Sequence, residues 1–370
     1  MAAAGTGSRC WRVCMRRCRQ ACRRGMPEGA RTPIGDEGKP WRHPSPALCD
    51  DGPVSRPVIG YALVVTAAVI FGVNAGVSRV PVQAGLGIDS YTAFRLTGAA
   101  LTFWLLAALV DRTAFRVPRG RAFVLVVALG IAGVLGAQAT YNVTVNRLPL
   151  GVALLLEYLA PAIVVLWVRF VRREPVHPRL YPAIVVSLVG LALVGQVWRG
   201  LTLDGIGVLV GLLSAACLAS YFLLGEALTA HEGATSSPLQ TVVWSFGIAA
   251  VAVNLYEPFW TAFDVLGQDT ALLGRFEDVT VPGWLPMAYI VLLGTVAPFF
   301  LYLLAMQFVP STRASVVAML EPVVALVVGW LWFTEVLSTA QTIGVVVVLT
   351  GVVVAQSARL VRGENVPAAP

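Results

Sequence analysis

Stretches of about twenty residues with almost no charge recur along this chain, near 59–78, 89–110, 121–141, 150–169, 181–198, 204–225, 237–256, 284–306, 313–333 and 338–358. At 1.5 Å per residue, a helix of about 20 apolar residues crosses the ~30 Å hydrocarbon core of a bilayer. Barrel strands alternate in segments of about ten, and these runs are too continuous for that. The expected fold is therefore an all-α integral membrane protein with ten transmembrane helices. Composition agrees, with 57% hydrophobic and only 13% charged residues. That balance excludes a soluble enzyme, a nucleic-acid reader or a disordered scaffold as the main body. The lipid bilayer is the expected partner, and nucleic acid is not.

The net charge of +7 belongs to one end of the chain. Residues 1–56 hold 11 Lys/Arg against 5 Asp/Glu, leaving 16 against 15 for the remainder. This segment reads as a disordered basic tail, or as sequence upstream of the true translation start. It also carries Cys10, Cys14, Cys18, Cys22 and Cys49. The spacing of four would put the first four thiols near one helical face beside arginines that lower thiol pKa values. A metal or redox site there is the lesser reading, since CxxxC lacks the turn geometry of common zinc sites. No metal site is expected.

Arginine placement orients the spans. With the amino terminus inside, Arg112, Arg116, Arg119, Arg121, Arg169, Arg172, Arg173, Arg179, Arg313, Arg359 and Arg362 fall in cytoplasmic loops and tail, against Arg79, Arg147, Arg199 and Arg275 outside. Such asymmetry puts both termini in the cytoplasm of a cell membrane. The outer loop 257–283 is long and acidic.

Residues 141–196 and 302–357 overlay without a gap at an offset of 161. Tyr141 meets Tyr302, Pro149 meets Pro310, Pro161 meets Pro322, Glu174 meets Glu335 and Gly190 meets Gly351. Matches at these punctuating residue types indicate a duplication. Each copy has five spans, an odd number, so the second enters the membrane inverted. Two inverted five-helix repeats suit a protein that opens alternately to two sides around a midplane site. The expected division is a tail over 1–56, a first repeat over 57–200, a second over 201–358 and a cytoplasmic tail over 359–370.

Residues 319–354, with Glu321, Pro322, Glu335, Gly344 and Gly351, resemble the closing helix pair of the EamA-like family in the drug/metabolite transporter superfamily. Residues 148–167 (LPLGVALLLEYLAPAIVVLW) are similar to the form seen in amino-acid exporters of the threonine/homoserine kind. Phe71, Gly72 and Asn74 resemble the start of that family's first helix, and Phe94-Arg95 its second. The resemblance covers about residues 57–358. It implies a secondary transporter exporting small metabolites such as amino acids.

Three ionisable side chains fall well within spans, namely Arg95, Glu157 and Glu321. Each is costly in hydrocarbon unless it faces the bundle interior, water or a partner. Arg95 would receive a substrate carboxylate, and Glu157 an amino group or a coupling proton. The alternatives are an Arg95–Glu157 ion pair tying two helices together, and a Glu321 that only caps the kink at Pro322. Pro161 frees a backbone carbonyl beside Glu157 and Tyr158. Asn74 and Tyr158 are the deepest neutral candidates, whereas Tyr91, Trp104, Tyr141, Trp198, Trp284 and Trp332 read as interface anchors. Gly207 and Gly211 read as a close-approach seam, and the Asn142-Val143-Thr144 sequon is discounted at a span boundary.

The single lysine, Lys39, lies in the tail, so no phosphate-binding loop exists and any pumping is secondary. His43, His177 and His231 all lie outside the spans, so no cofactor and no catalytic group are expected. Transport driven by a proton or by the substrate's own gradient remains, with a small molecule as partner and a homodimer compatible with it. The rival readings are a membrane-embedded enzyme acting on a lipid-linked substrate, disfavoured by the lack of a DxxD-like pattern, and a non-transporting receptor or assembly subunit, which leaves the duplication unexplained.

Overall fold

A computed structural model of the chain describes residues 56–148, 150–198, 204–229, 236–334, 336 and 338–357. The tail cysteines, Pro149, His231, Glu335 and residues 359–370 lie outside the described residues.

Among the described residues, ten helices make up the bundle. They are α1 (Arg56–Val77, carried on by Arg79–Gln83), α2 (Ile88–Val110), α3 (Arg121–Arg147) and α4 (Leu150–Glu157, then Ala160–Leu166 and Trp167–Val171). Next come α5 (Leu180–Val194), α6 (Gly205–Thr229) and α7 (Pro238–Asn254). The last three are α8 (Trp284–Ala305), α9 (Ser311–Ala318, then Glu321–Phe333) and α10 (Thr339–Ser357). Seven are long and apolar enough to cross a membrane on their own. The shorter α7 is followed by a helix at Phe259–Leu266 bent from it by 82°, and α5 and α10 are short apolar helices.

Local chemistry sets the ends. Ser237 caps α7 by accepting from Gln240 N at 3.2 Å. Asn254 closes the same helix, accepting from Phe259 N at 2.8 Å and donating to Thr97 Oγ1 at 2.7 Å. The run expected over 181–198 stops at Val194, because Gln196 takes a left-handed conformation (φ 45). The loop 257–283 carries structure: β1 (Asp269–Ala271) pairs antiparallel with β2 (Thr280–Pro282). Trp332 Nε1 ties α9 to that hairpin through Leu272 O at 3.1 Å.

The two halves pack as an inverted repeat. Equivalent helices meet directly, α2 on α7 and α5 on α10, while α1 lies on α8 and α9 as α6 lies on α3 and α4. Gly60 on α1 faces Phe308 and Val309, and Gly207 on α6 faces Arg147 and Leu148. Those partners are again 161 apart, whereas the glycines are 147 apart, so the spacing changes between the front and back of the copies. Arg173 and Thr334, also 161 apart, both adopt positive φ at the ends of α4 and α9. Between α5 and α10 the backbones nearly touch. A Cβ on Gly190 would lie 2.6 Å from Val348 N, and one on Gly344 2.7 Å from Gly190 O. Small residues supply helix contact in lipid, where hydrocarbon gives no hydrophobic drive.

Candidate functional site

A cavity of about 630 Å³ lies among α1, α2, α3, α4, α6, α8 and α9, with Val194 of α5 and Gln341 of α10 at its edge. Its lining includes Arg79, Val82, Phe333 and Gln341, which are half-buried or exposed, and Tyr221, Phe222, Tyr302 and Ser315, which are buried. The lining extends to helix ends on the side of the bundle opposite the arginine-rich loops, which contribute no lining residue.

Two broken helices pass the cavity. The first stretch of α4 ends at Glu157 and the helix restarts at Ala160; α9 stops at Ala318 and restarts at Glu321. Pro161 and Pro322 stand second in the restarted stretches. Lacking an N–H, they cannot bond the carbonyls of Glu157 and Ala318 four residues back. Irregular backbone at membrane depth is tolerated where it lines a cavity. The two breaks are repeat equivalents, but the acids flank them differently. Glu157 closes the first stretch of α4, whereas Glu321 opens the second stretch of α9, in the place held by Ala160.

Arg95 on α2 is 6% exposed. Its Nε donates to Thr295 Oγ1 at 2.7 Å, and its Nη1 donates to Gln138 Oε1 at 3.2 Å. Nη2 is buried without a hydrogen-bond partner. The guanidinium stands 5.9 Å from the ring centres of Phe71 and of Tyr91, within cation–π range. Thr295 lies in a π-helical segment, Leu292–Val296, and donates its own hydroxyl to Ile290 O at 2.8 Å. That wider turn has its repeat counterpart at Leu129–Gly136 in α3; such segments often occur at functional sites.

Among the described residues no ion pair joins Arg95 to Glu157, so the helix-tying reading gives way to the bonds that Arg95 donates to Thr295 and Gln138. Ser214 Oγ donates to Glu157 Oε1 at 3.5 Å. Leu320 holds the N-cap position of the restarted stretch of α9, with no side-chain cap hydrogen bond. Asn74 Oδ1 and Tyr302 Oη are, like Arg95 Nη2, buried polar atoms on the cavity lining without partners. Buried polar atoms are normally satisfied, so three orphans around one cavity mark where a polar ligand would bond.

The cavity brings together all the residues singled out from the sequence: Asn74, Arg95, Glu157, Tyr158, Pro161, Glu321 and Pro322. Tyr91 and Tyr141, read as interface anchors, line it as well. Asn142 of the sequon faces it and donates to Thr92 Oγ1 at 2.9 Å. Gln138 and Thr295 went unnoticed in the sequence, because a single polar residue in an apolar run gives no sign of which neighbour it bonds. Gly211 does allow close approach, its missing Cβ leaving room for Leu156 and Thr144.

The profile of the EamA-like transporter family matches this sequence twice, over residues 58–196 and 205–356. The chain belongs to the EamA-like transporter family. This EamA-like protein is thus a multi-pass membrane transporter rather than an enzyme. Relatives include an uncharacterized transporter of Archaeoglobus fulgidus, 28% identical over 59% of this chain and 71% of its own. The uncharacterized inner membrane transporter YicL of Salmonella typhimurium is 25% identical over 80% of this chain and 94% of its own. The threonine/homoserine exporter RhtA of Escherichia coli is 26% identical over 78% of this chain and 87% of its own. One crystal structure superposes with a TM-score of 0.61 at 18% identity, over 83% of this chain and 99% of that one, which speaks for the fold alone.

Proposed function

We propose that this transporter is a secondary-active exporter of small amino-acid-type metabolites, working by alternating access in the cell membrane. The observation that carries the reading is one cavity holding a guanidinium with an unpartnered Nη2 and two carboxyl groups on broken helices. A zwitterion presents the complementary pair, a carboxylate for Arg95 and an ammonium for Glu157 or Glu321. The phenyl and phenol groups of Phe71, Tyr91, Phe299 and Tyr302 leave the remaining wall suited to an apolar or hydroxylated side chain. The naming of one relative as a threonine/homoserine exporter supports the same class.

Orientation follows from the eleven arginines against four, with both termini cytoplasmic and the cavity open to the outside. Repeats over 57–200 and 201–358 would then be the two moving halves, with residues 1–56 dispensable. Energy would come from a proton, carried by Glu157, or from the substrate's own gradient. Proteoliposomes loaded with a panel of amino acids and analogues test the reading by counterflow. Saturable exchange of at least one zwitterion is expected, and none across the panel would contradict it.

A further inference from the structure

Toward the arginine-rich end, α6 and α8 make contacts that α1 and α3, among the described residues, do not reproduce with each other at the opposite end. Tyr221 Oη on α6 donates to Phe299 O on α8 at 2.8 Å. One turn on, Gly225 receives Leu303 of α8 and Met306 just past its end where a Cβ would stand. Beside it Glu226 joins three helices, accepting from Arg172 Nη1 at 2.6 Å, from Ser311 N at 3.0 Å and from Ser311 Oγ at 2.9 Å. Arg172 also donates to Leu223 O at 3.1 Å.

The repeat assigns each of these residues a partner at the open end. Through the 147 spacing that relates Gly207 to Gly60, Tyr221, Gly225 and Glu226 correspond to Asn74, Ser78 and Arg79 on α1. Through the 161 spacing, Phe299, Leu303 and Met306 correspond to Gln138, Asn142 and Val145 on α3. These six counterparts line the cavity, and α1 makes no contact with α3 comparable to that of α6 with α8. One clasp remains in common. Arg79 stands 4.6 Å over the Phe333 ring, and Phe333 is the counterpart of Arg172.

We infer that the carboxylate of Glu226 is the latch of the inner gate, and that its release lets α6 leave α8 while α1 closes on α3 through Ser78, Asn142 and Val145. Inverted repeats exchange conformations, so the two ends alternate between the arrangement made and the arrangement missing. A latch of this kind biases a two-state element rather than touching substrate. This inference rests on the alternating-access reading but not on the identity of the substrate.

Amide hydrogen exchange on the full-length protein in lipid nanodiscs, without substrate, tests it. Glu226→Gln should speed exchange over 221–229 and 311–318 by roughly tenfold, a usual size for coupling between sites, and slow exchange over 74–82 and 138–147. Ser311→Ala, which removes one donor only, should shift both ends in the same senses by less. Should Glu226→Gln fail to fold, Ser311→Ala carries the test by itself. Acceleration confined to 221–229 and 311–318, faster exchange at both ends, or no change at either would overturn the latch. Because no transport is measured, a failure here is separable from a failure to find an amino-acid substrate.

Discussion

Arg95 on α2 and Thr295 on α8 meet at 2.7 Å across 200 residues of sequence, the guanidinium Nε donating to the hydroxyl oxygen. The bond fixes one edge of the guanidinium and leaves Nη2 unpartnered on the cavity lining. Thr295 is fully buried, so its replacement leaves a charged donor stranded. Thr295→Val should lower stability by about 1–3 kcal/mol and Thr295→Ser by much less. Thermal unfolding in detergent compares them, and a Val variant as stable as wild type would deny the bond any role.

Gly294 and Asn74 make a second close approach between α8 and α1. A Cβ at Gly294 would fall on the Asn74 carboxamide. Gly294→Ala should cost roughly 1–3 kcal/mol as overpacking. Combining it with Asn74→Ala should recover most of that loss, a non-additivity that a double-mutant cycle measures. Additive losses would mean that the two positions do not touch.

The seam of α5 and α10 offers a harsher probe. At Gly344 a Cβ would meet Gly190 O and Val194 N at 2.7 Å, both rigid backbone. Gly344→Val should therefore separate these two short helices and abolish the sharp thermal transition. Val346→Ala on the same helix, at a side chain 60% exposed, should change little. Equal effects at the two positions would contradict the seam.

Much of this was legible before any coordinates, for reasons residing in particular residues. Burying Arg95, Glu157 or Glu321 in lipid is so unfavourable that their presence inside apolar runs already implied a shared interior, and all three line one cavity. The prolines of the repeat pointed to paired irregularities, and α4 and α9 do break just before Pro161 and Pro322. Less could be read from neutral polar residues. Thr102, Thr140 and Thr144 bond carbonyls four residues back in their own helix, and nothing in the sequence separates them from Thr295, which accepts from another helix. Tyrosines near span ends were equally ambiguous, since only the tertiary fold decides whether Tyr91 and Tyr141 face lipid headgroups or cavity. The 147 spacing at the front of the repeats is carried by Gly60 and Gly207, whose sequence neighbours differ between the copies.

Asp204 precedes α6, accepting from Arg147 Nη1 at 2.9 Å and from Ile206 N at 3.1 Å. The bond from Arg147 above all holds its carboxyl below the usual carboxylate range. A lowered folded-state value stabilises above the unfolded value of about 4, and the effect fades as pH falls through the folded value. Asp204→Asn should thus cancel a small stabilisation that is present above the ordinary carboxylate range and is lost as pH falls through and below it. Unfolding temperatures of the two proteins should converge in acid; a gap that widens there would contradict the assignment.

Glu157 separates driven transport from exchange. In proteoliposomes, acid on the outer side should accelerate net exit of substrate through the wild type. Glu157→Gln should lose that acceleration and keep part of the exchange, because alternating access does not need the proton site. Undiminished gradient-driven export in a stable Glu157→Gln protein would remove this residue from the coupling and point to Glu321.

The central claim is that Arg95 receives the carboxylate of a zwitterion inside this cavity. Counterflow of a transported amino acid, inhibited in turn by the same amino acid and by its amide, tests it most directly in wild type and Arg95→Gln. The account predicts strong inhibition of the wild type by the acid and weak inhibition by the amide, a distinction lost in Arg95→Gln along with most of the exchange. Equal inhibition by acid and amide in the wild type, or wild-type exchange by Arg95→Gln, would contradict it.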